Sequence, residues 1–429
     1  MQRRTFLKNT SLSLSALPLY PALNYFKAYK IALIGSGWWG MNILREAIAY
    51  GNCKVVALCD VDRKAVDAAK TEVEKLTNDR PKLYEDYRDL LDKETVDIAI
   101  IGTPDHWHAL PAIAAIKAGA HLYLEKPIGH TIMEGRAILN TARKYGKTVQ
   151  VGTHRRVSPH NKTAMEFLRS GMVGDVHRVK CFVNYNWARP GQKAKTEAIP
   201  EGLNWDLWLG PAPYRDYIPG IHPKGFRQYL DYANGQIGDW GIHWFDQVLW
   251  WTEEKYPKSI YSMGNRFVKN DSTDAPDSQL AIFQFENFTL DWEHKLFAKN
   301  ENEQHNIGCY FYGTKGTLHL GWLDGWSFYP KSKNASVINQ AASLNEPDQQ
   351  NIKELWADFI QAIEKKRLPT CDIEKGHLAT NISHLGMISY KLGRSVAWDG
   401  ASENFGTDAA ANALLKREYR GDWVYPTDL

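Results

Sequence analysis

Gly35-Ser36-Gly37-Trp38-Trp39-Gly40 has the spacing G-x-G-x-x-G, directly after a short apolar run and at the start of a helical pattern. In that context each glycine has its own task. Gly35 can make the tight turn, Gly37 lets a pyrophosphate approach backbone N–H groups, and Gly40 lets the helix pack close to the strand. Ser36, Trp38 and Trp39 count with them as expected cofactor contacts. Asp60 ends the next apolar run, about twenty residues further on, where a carboxylate accepts hydrogen bonds from ribose hydroxyls and repels a 2′-phosphate. The pattern favours NAD over NADP, although Arg63 close by leaves NADP open.

These groups need a frame. From Tyr29 onward, strand-like runs at 30–34, 54–59, 96–101, 121–124 and 148–151 alternate with helical stretches at 41–50, 63–76, 110–118 and 132–145. That alternation predicts an α/β Rossmann domain with a doubly wound parallel sheet. After about Gly152 the rhythm changes: Val179, Cys181, Val183, Tyr185 and Trp187 alternate with polar or differently facing neighbours, and similar runs follow at 259–267, 279–285, 289–296 and 307–312. This period of two predicts a second, α+β domain with a large, mostly antiparallel open sheet. The expected division is 1–27, 28–152 and 153–429, with late helices at 351–365 and 376–392 packing back onto the first domain. Between the first strand of the second domain and the rest lies an insert, 188–236, dense in Pro, Gly, Tyr and Trp; a loop of that length is uncommon without a function.

Composition narrows the partners. The 429 residues carry 52 Lys+Arg against 49 Asp+Glu, a net charge of +3, which gives no footprint for nucleic acid or anionic lipid. Sixteen tryptophans and 21 tyrosines supply core anchors or faces on which sugars stack. The five cysteines are scattered without a C-x-x-C pair, and no H-E-x-x-H or dense carboxylate cluster occurs, so neither a disulfide framework nor a metal is expected. No run approaches the roughly 18 apolar residues that span a bilayer. Arg3-Arg4 before Phe6-Leu7-Lys8, then a modest Ser/Leu/Ala stretch, resembles a twin-arginine export signal, so a periplasmic location is expected.

Two further segments carry a specific resemblance. Gly102-Thr103-Pro104-Asp105-His106-Trp107-His108 follows one apolar strand and Glu125-Lys126-Pro127 follows the next. With the glycine turn, they resemble the Gfo/Idh/MocA oxidoreductases, the family of glucose–fructose oxidoreductase and inositol dehydrogenase, over essentially the whole chain after the leader. The resemblance implies that Thr103, Pro104, His106, His108 and Glu125 border the cofactor, that Lys126 lies beside the nicotinamide and the reacting hydroxyl, and that the peptide before Pro127 is often cis. Hydride leaves a carbinol carbon readily only if the hydroxyl proton departs too, so such a site needs a base and a cation for the developing alkoxide. Lys126 can be that cation. Gly238-Asp239-Trp240-Gly241-Ile242-His243-Trp244-Phe245-Asp246 resembles the family's D-x-x-x-H segment. On a helix Asp239 and His243 share a face, with Asp246 next along it, which makes His243 the expected general base and Asp239 the group that orients it.

Weaker candidates for substrate contact are His154, Arg155 and Arg156, after the last parallel strand, Trp187, and His222 and Arg227 in the aromatic part of the insert, 205–232. The run Trp205-Asp206-Leu207-Trp208-Leu209-Gly210-Pro211-Ala212-Pro213 is similar to an exported branch of the family, and the insert is expected to wall the substrate. The expected activity is NAD-linked oxidation of a secondary hydroxyl of a sugar, glycoside or cyclitol. A second reading is a glycoside hydrolase that oxidises C3 transiently, as the NAD-dependent α-N-acetylgalactosaminidases among the relatives do; a third is a non-catalytic sugar-binding protein. The resemblance also implies a homo-oligomer, a dimer or tetramer.

Overall fold

The computed structural model describes residues 28–299, 304–346 and 349–426. The expected export signal, 1–27, lies outside them. Strands β1 (Tyr29–Ile34), β2 (Cys53–Cys59), β3 (Lys82–Tyr84), β4 (Ile98–Ile101), β5 (His121–Leu124) and β6 (Val149–Val151) form a parallel sheet in the order β3-β2-β1-β4-β5-β6. Helices α1 (Trp38–Tyr50), α2 (Arg63–Leu76), α3 (Tyr87–Lys93), α4 (Ala109–Lys117) and α5 (Ile132–Lys144) connect them. β1 and β4 bury Ile31 to Ile34 and Ile98 to Ile101 on both faces, which is why they read as unbroken apolar runs. They are also where the strand order reverses, so their carboxyl ends open the crevice that binds ligands in such sheets. The sequence gives no sign of β3, whose three residues include none that is fully buried.

The second sheet follows β7 (Val176–Asn184), β8 (Ser259–Asn265), β9 (Ser278–Gln284), β10 (Thr289–Lys295), β11 (Ile307–Gly313), β12 (Gly316–Gly321), β13 (Trp326–Pro330), β14 (Ile338–Gln340) and β15 (Val396–Ala397). Its nine strands run β14-β13-β12-β11-β7-β10-β9-β8-β15, antiparallel throughout but for the β7–β10 pair. The expected period of two is plain in β9, where Gln279, Ala281 and Phe283 are buried and Leu280, Ile282 and Gln284 exposed. The covered face packs on α6 (Pro159–Arg169), α8 (Ile242–Trp251) and α10 (Ile373–Leu392) through residues such as Met165, Trp244, Phe245 and Leu385.

Later residues return to the first sheet. In α9 (Ile352–Glu364), Leu355, Trp356, Phe359 and Ile360 share one core with Ile31, Leu33 and Leu44. Val151 N–H donates to the Cys371 carbonyl at 2.8 Å. Near the end of the chain Arg417 and Tyr419 both reach the wholly buried Glu134 carboxylate, at 2.9 and 2.7 Å.

The insert forms a separate small core of Trp205, Trp208, Leu209, Phe226, Tyr229 and Tyr232, with α7 (Trp205–Leu209) inside it and Val61 of the first domain packed against it. Its backbone is tied to the β2–α2 connection: Arg63 N–H donates to the Gly202 carbonyl at 2.8 Å and Asn204 N–H to the Val61 carbonyl at 2.9 Å.

Candidate active site

A cleft of about 380 Å³ runs from the glycine turn to the second domain. At its first end, steric need separates the glycines. Gly35 has φ +91°, and a Cβ there would lie 2.6 Å from the Gly102 carbonyl carbon and the Thr103 nitrogen. A Cβ on Gly40 would stand 2.1 Å from the Gly35 oxygen. Gly37 is different: nothing lies within 4 Å of the corresponding point, and it is the N-cap of α1 with no side chain capping the helix. Bare N–H groups at a helix start, facing open space, fit a pyrophosphate.

Asp60 borders this end. Its Oδ2 accepts from Ser36 N–H at 2.7 Å and its Oδ1 from Asp62 N–H at 2.9 Å. Burial pushes the Asp60 carboxyl up to about 6, opposed by those two N–H groups and by His222. Ser36 is buried and turned away from the cleft, its hydroxyl donating to the Cys59 carbonyl at 3.1 Å; Gly40 packs beneath the turn. Both therefore shape the turn from behind. Trp38 and Trp39 line the cleft, and Lys224 of the insert places its Nζ 4.4 Å from the Trp38 ring. His222, expected on the substrate, lines the cleft at this end and meets Asp62 at 2.9 Å. Asp62 also caps α2.

At the far end the charges converge. Lys126 Nζ donates to both the Asp239 carbonyl oxygen and Oδ1, each at 2.7 Å, and Arg227 Nε stands 3.4 Å from the same Oδ1. Burial raises the Asp239 carboxyl, but Lys126 and Arg227 outweigh it and hold the group below its usual range. The Lys126–Pro127 peptide is cis. Glu125, buried on the cleft lining beside it, accepts from Lys126 N–H at 3.2 Å, and burial raises its carboxyl. Thr103 and Pro104 line the cleft between the ends.

His243 lines it too, its ring 5.2 Å from that of His154 and 5.0 Å from Trp322. Its Nδ1 has no hydrogen-bond partner among the described residues. Burial, with Lys126 and Arg155, holds the imidazole far below its ordinary value, so it is neutral and its bare nitrogen can accept a hydrogen bond. The expected Asp239–His243 pairing is not made. Ile237–Gly241 is a π-helical turn that passes into α8 only at Ile242, so the two residues do not follow α-helical spacing, and the Asp239 carboxylate faces Lys126 and Arg227.

Several expected contacts lie elsewhere. Arg156 and Asp246 form a sealed pair, with Nε at 2.8 and 2.9 Å from the two carboxylate oxygens and Asp246 wholly buried. Neither borders the cleft. His106 packs among Trp208 and Tyr232 and donates from Nε2 to the Trp208 carbonyl at 2.9 Å, outside the lining. Trp187 is exposed on the second sheet's side, near Lys269. His108 borders the cleft with both ring nitrogens on carbonyls, Pro127 at 2.5 Å and Thr103 at 2.8 Å, which makes it a brace. His154 and Arg155 stand one layer back: the Arg155 guanidinium lies 3.6 Å over the Trp322 ring, which itself faces the cleft.

Sequence reasoning passed over Asp105, Trp240, Trp322 and Gln350, all lining residues. Asp105 is buried, and burial pushes its carboxyl up to about 7 against the pull of Arg227 and Lys126. Its place after Pro104 in the quoted motif is the one signal that could have found it. Trp322 arrives on a hairpin between β12 and β13 that no local pattern links to the first domain.

Residues 29–153 match the oxidoreductase family, NAD-binding Rossmann fold, and residues 161–425 match the oxidoreductase family, C-terminal alpha/beta domain. A glycosyl hydrolase family 109 protein of Stenotrophomonas maltophilia is 30% identical over 225 residues, 48% of this chain and 50% of that protein. An alpha-N-acetylgalactosaminidase of Shewanella oneidensis is 27% identical over 151 residues, 34% of this chain and 33% of that protein. The chain thus spans half or less of these curated relatives. A levoglucosan dehydrogenase solved with NADH and levoglucosan superposes with a TM-score of 0.65 at 17% identity, covering 86% of this chain and 99% of that one, a likeness of fold. With both halves matched and the Rossmann cradle in place, the chain belongs to the Gfo/Idh/MocA oxidoreductase family and its first domain is an NAD-binding Rossmann fold.

Proposed function

We propose that the chain oxidises a secondary hydroxyl of a sugar, glycoside or cyclitol. NAD bound along the cleft supplies the hydride acceptor. The observation that carries the reading is Lys126, fixed by two 2.7 Å contacts to Asp239 in the same cleft as neutral His243. An ammonium has three N–H donors, and the one left over can hold the substrate oxygen. As the C–H hydrogen leaves with its electron pair, the hydroxyl proton passes to His243 and Lys126 stabilises the oxygen's growing negative charge. Asp239 and Arg227 position Lys126. The test is the ultraviolet spectrum of the purified chain with a panel of glycosides: reduced nicotinamide or a keto sugar supports the reading, and no spectral change with any of them defeats it.

One observation favours the hydrolytic alternative. The insert ties itself across the adenosine end through Gly202, Asn204, His222 and Lys224, an arrangement suited to a cofactor that stays bound while hydride goes out and returns. Sugar released from a glycoside with no net reduced cofactor would establish that course over net oxidation.

Export by the twin-arginine route belongs to the same proposal, and recovery of the chain with residues 1–27 intact only from cytosol would remove it. Tyr261, Met263, Leu280 and Ile282 form an exposed apolar patch on the outer face of β8 and β9, which supports a homo-oligomer through that face. Sedimentation of a monomer at micromolar concentration would count against it.

A further inference from the structure

The second sheet gathers three metal-type ligands that are scattered in sequence. His319 lies on β12 directly opposite Tyr310 of β11, His305 sits just before β11, and Asp324 is in the turn after β12. We propose that His305, His319 and Asp324 bind a divalent ion of the zinc class at the edge of the β11–β12–β13 hairpins.

Three observations meet there. The ligand atoms of the three side chains all lie within 4.8 Å of one another, and His305 Nδ1 is already 3.0 Å from Asp324 Oδ2. Zinc ligands at their ordinary bond lengths stand roughly 3.4 Å apart, so side-chain movement of up to about 1.4 Å closes the set. Second, His319 is only 1% exposed, yet its Nε2 has no hydrogen-bond partner among the described residues, and neither does Nε2 of His305. Buried polar atoms are nearly always paired, so two on adjacent rings point to a missing partner. Third, the His319 ring is held in place by the backbone beside it: a Cβ at Gly308 would lie 2.5 Å from His319 Nε2, so only glycine there lets the ring lie where it does.

The chemistry of the donors agrees. The two imidazoles are stacked, with centroids 3.5 Å apart, so one ring turns out of the stack to bring its in-plane lone pair onto the ion. Two imidazoles and one carboxylate suit zinc better than magnesium or calcium, which prefer all-oxygen sets. Asp324, about half exposed, leaves a solvent side on which water completes four-coordination. No sequence motif reveals the set, because antiparallel pairing assembles it. The same hairpin carries Trp322 to His243, so a bound ion fixes one wall of the cleft and has a positioning role.

The experiment is calorimetric titration of the untagged full chain, stripped with chelator, with zinc chloride and separately with magnesium chloride. Expected is one zinc per chain and no heat from magnesium. Asp324→Asn weakens zinc binding by about tenfold or more, and His305→Gln abolishes it. Both positions are nearer the surface than His319, and circular dichroism checks that the variants fold. No zinc binding by the parent chain, or equal affinity and stoichiometry in folded His305→Gln and Asp324→Asn, overturns the proposal.

Discussion

Asp239 and Asp246 belong to one short run of sequence and each faces a cation, yet their surroundings differ completely. Asp246 is wholly buried and its partner Arg156 nearly so, while the side chains of Lys126 and Asp239 remain 14% and 22% exposed at the cleft. In the sealed pair, Arg156 shares its Nε between both Asp246 carboxylate oxygens and turns Nη2 to the Asp246 carbonyl, so both charges face only each other. In the open pair, Lys126 spends two donors on one residue and keeps one. Access and unspent hydrogen-bonding capacity, not residue type, separate a structural ion pair from a working one.

Removing one partner of each pair should give opposite readouts. Asp246→Ala strands a buried guanidinium and should cost about 3–5 kcal/mol of stability in urea denaturation; an unmoved midpoint with a raised KM would turn Arg156 and Asp246 back into substrate contacts. Lys126→Met should lower turnover by roughly 10²–10³-fold while the unfolding midpoint moves less than in Asp246→Ala. Unchanged single-turnover hydride transfer would remove Lys126 from the chemistry.

The comparison extends to the adenosine end, where the effects are smaller. His222→Ala frees Asp62 from the insert, and loss of a hydrogen bond to a charged group predicts cofactor release faster by about tenfold, read as fluorescence decay after dilution; an unchanged rate would mean that the insert does not retain the cofactor. Asp60 supplies the mildest test. Above about pH 6 its carboxylate is ionised and repels a 2′-phosphate; below, it is neutral. Preference for NAD over NADP should therefore narrow a few-fold from pH 8 to pH 5, and a preference that is constant or widens would take Asp60 out of that role. Because its folded value lies above the unfolded one, the stability it contributes without cofactor is present below about pH 4 and is lost as pH rises through about 6.

The parts legible in the sequence are those written locally. The glycine turn, the buried runs of β1 and β4 and the alternation in β9 each depend on neighbours within a few residues. The misplaced parts depend on contacts that side-chain identity does not encode. Asp239 and His243 were expected on one α-helical face, but the π turn at Ile237–Gly241 changes the residues per turn, and hydrophobic periodicity carries no mark of it. The insert was expected to wall the substrate; it lines the cleft through Trp208, Phe226 and Arg227, but the backbone bonds of Gly202 and Asn204 that anchor it to the first domain leave no mark in side-chain identity. β3 escaped because a short edge strand needs no apolar run, and Trp322 because a hairpin brings it from the other sheet.

The seating of Leu355, Trp356, Phe359 and Ile360 against Ile31 and Leu33 bears on how the molecule is made. A ribosome that has just released β6 has delivered every residue of the nucleotide cradle but not the helix that covers its sheet. Until 352–364 emerges, one apolar face waits in water, an aggregation hazard in the nascent chain. The first domain is thus no portable module: it is completed by a helix translated about 200 residues after its last strand.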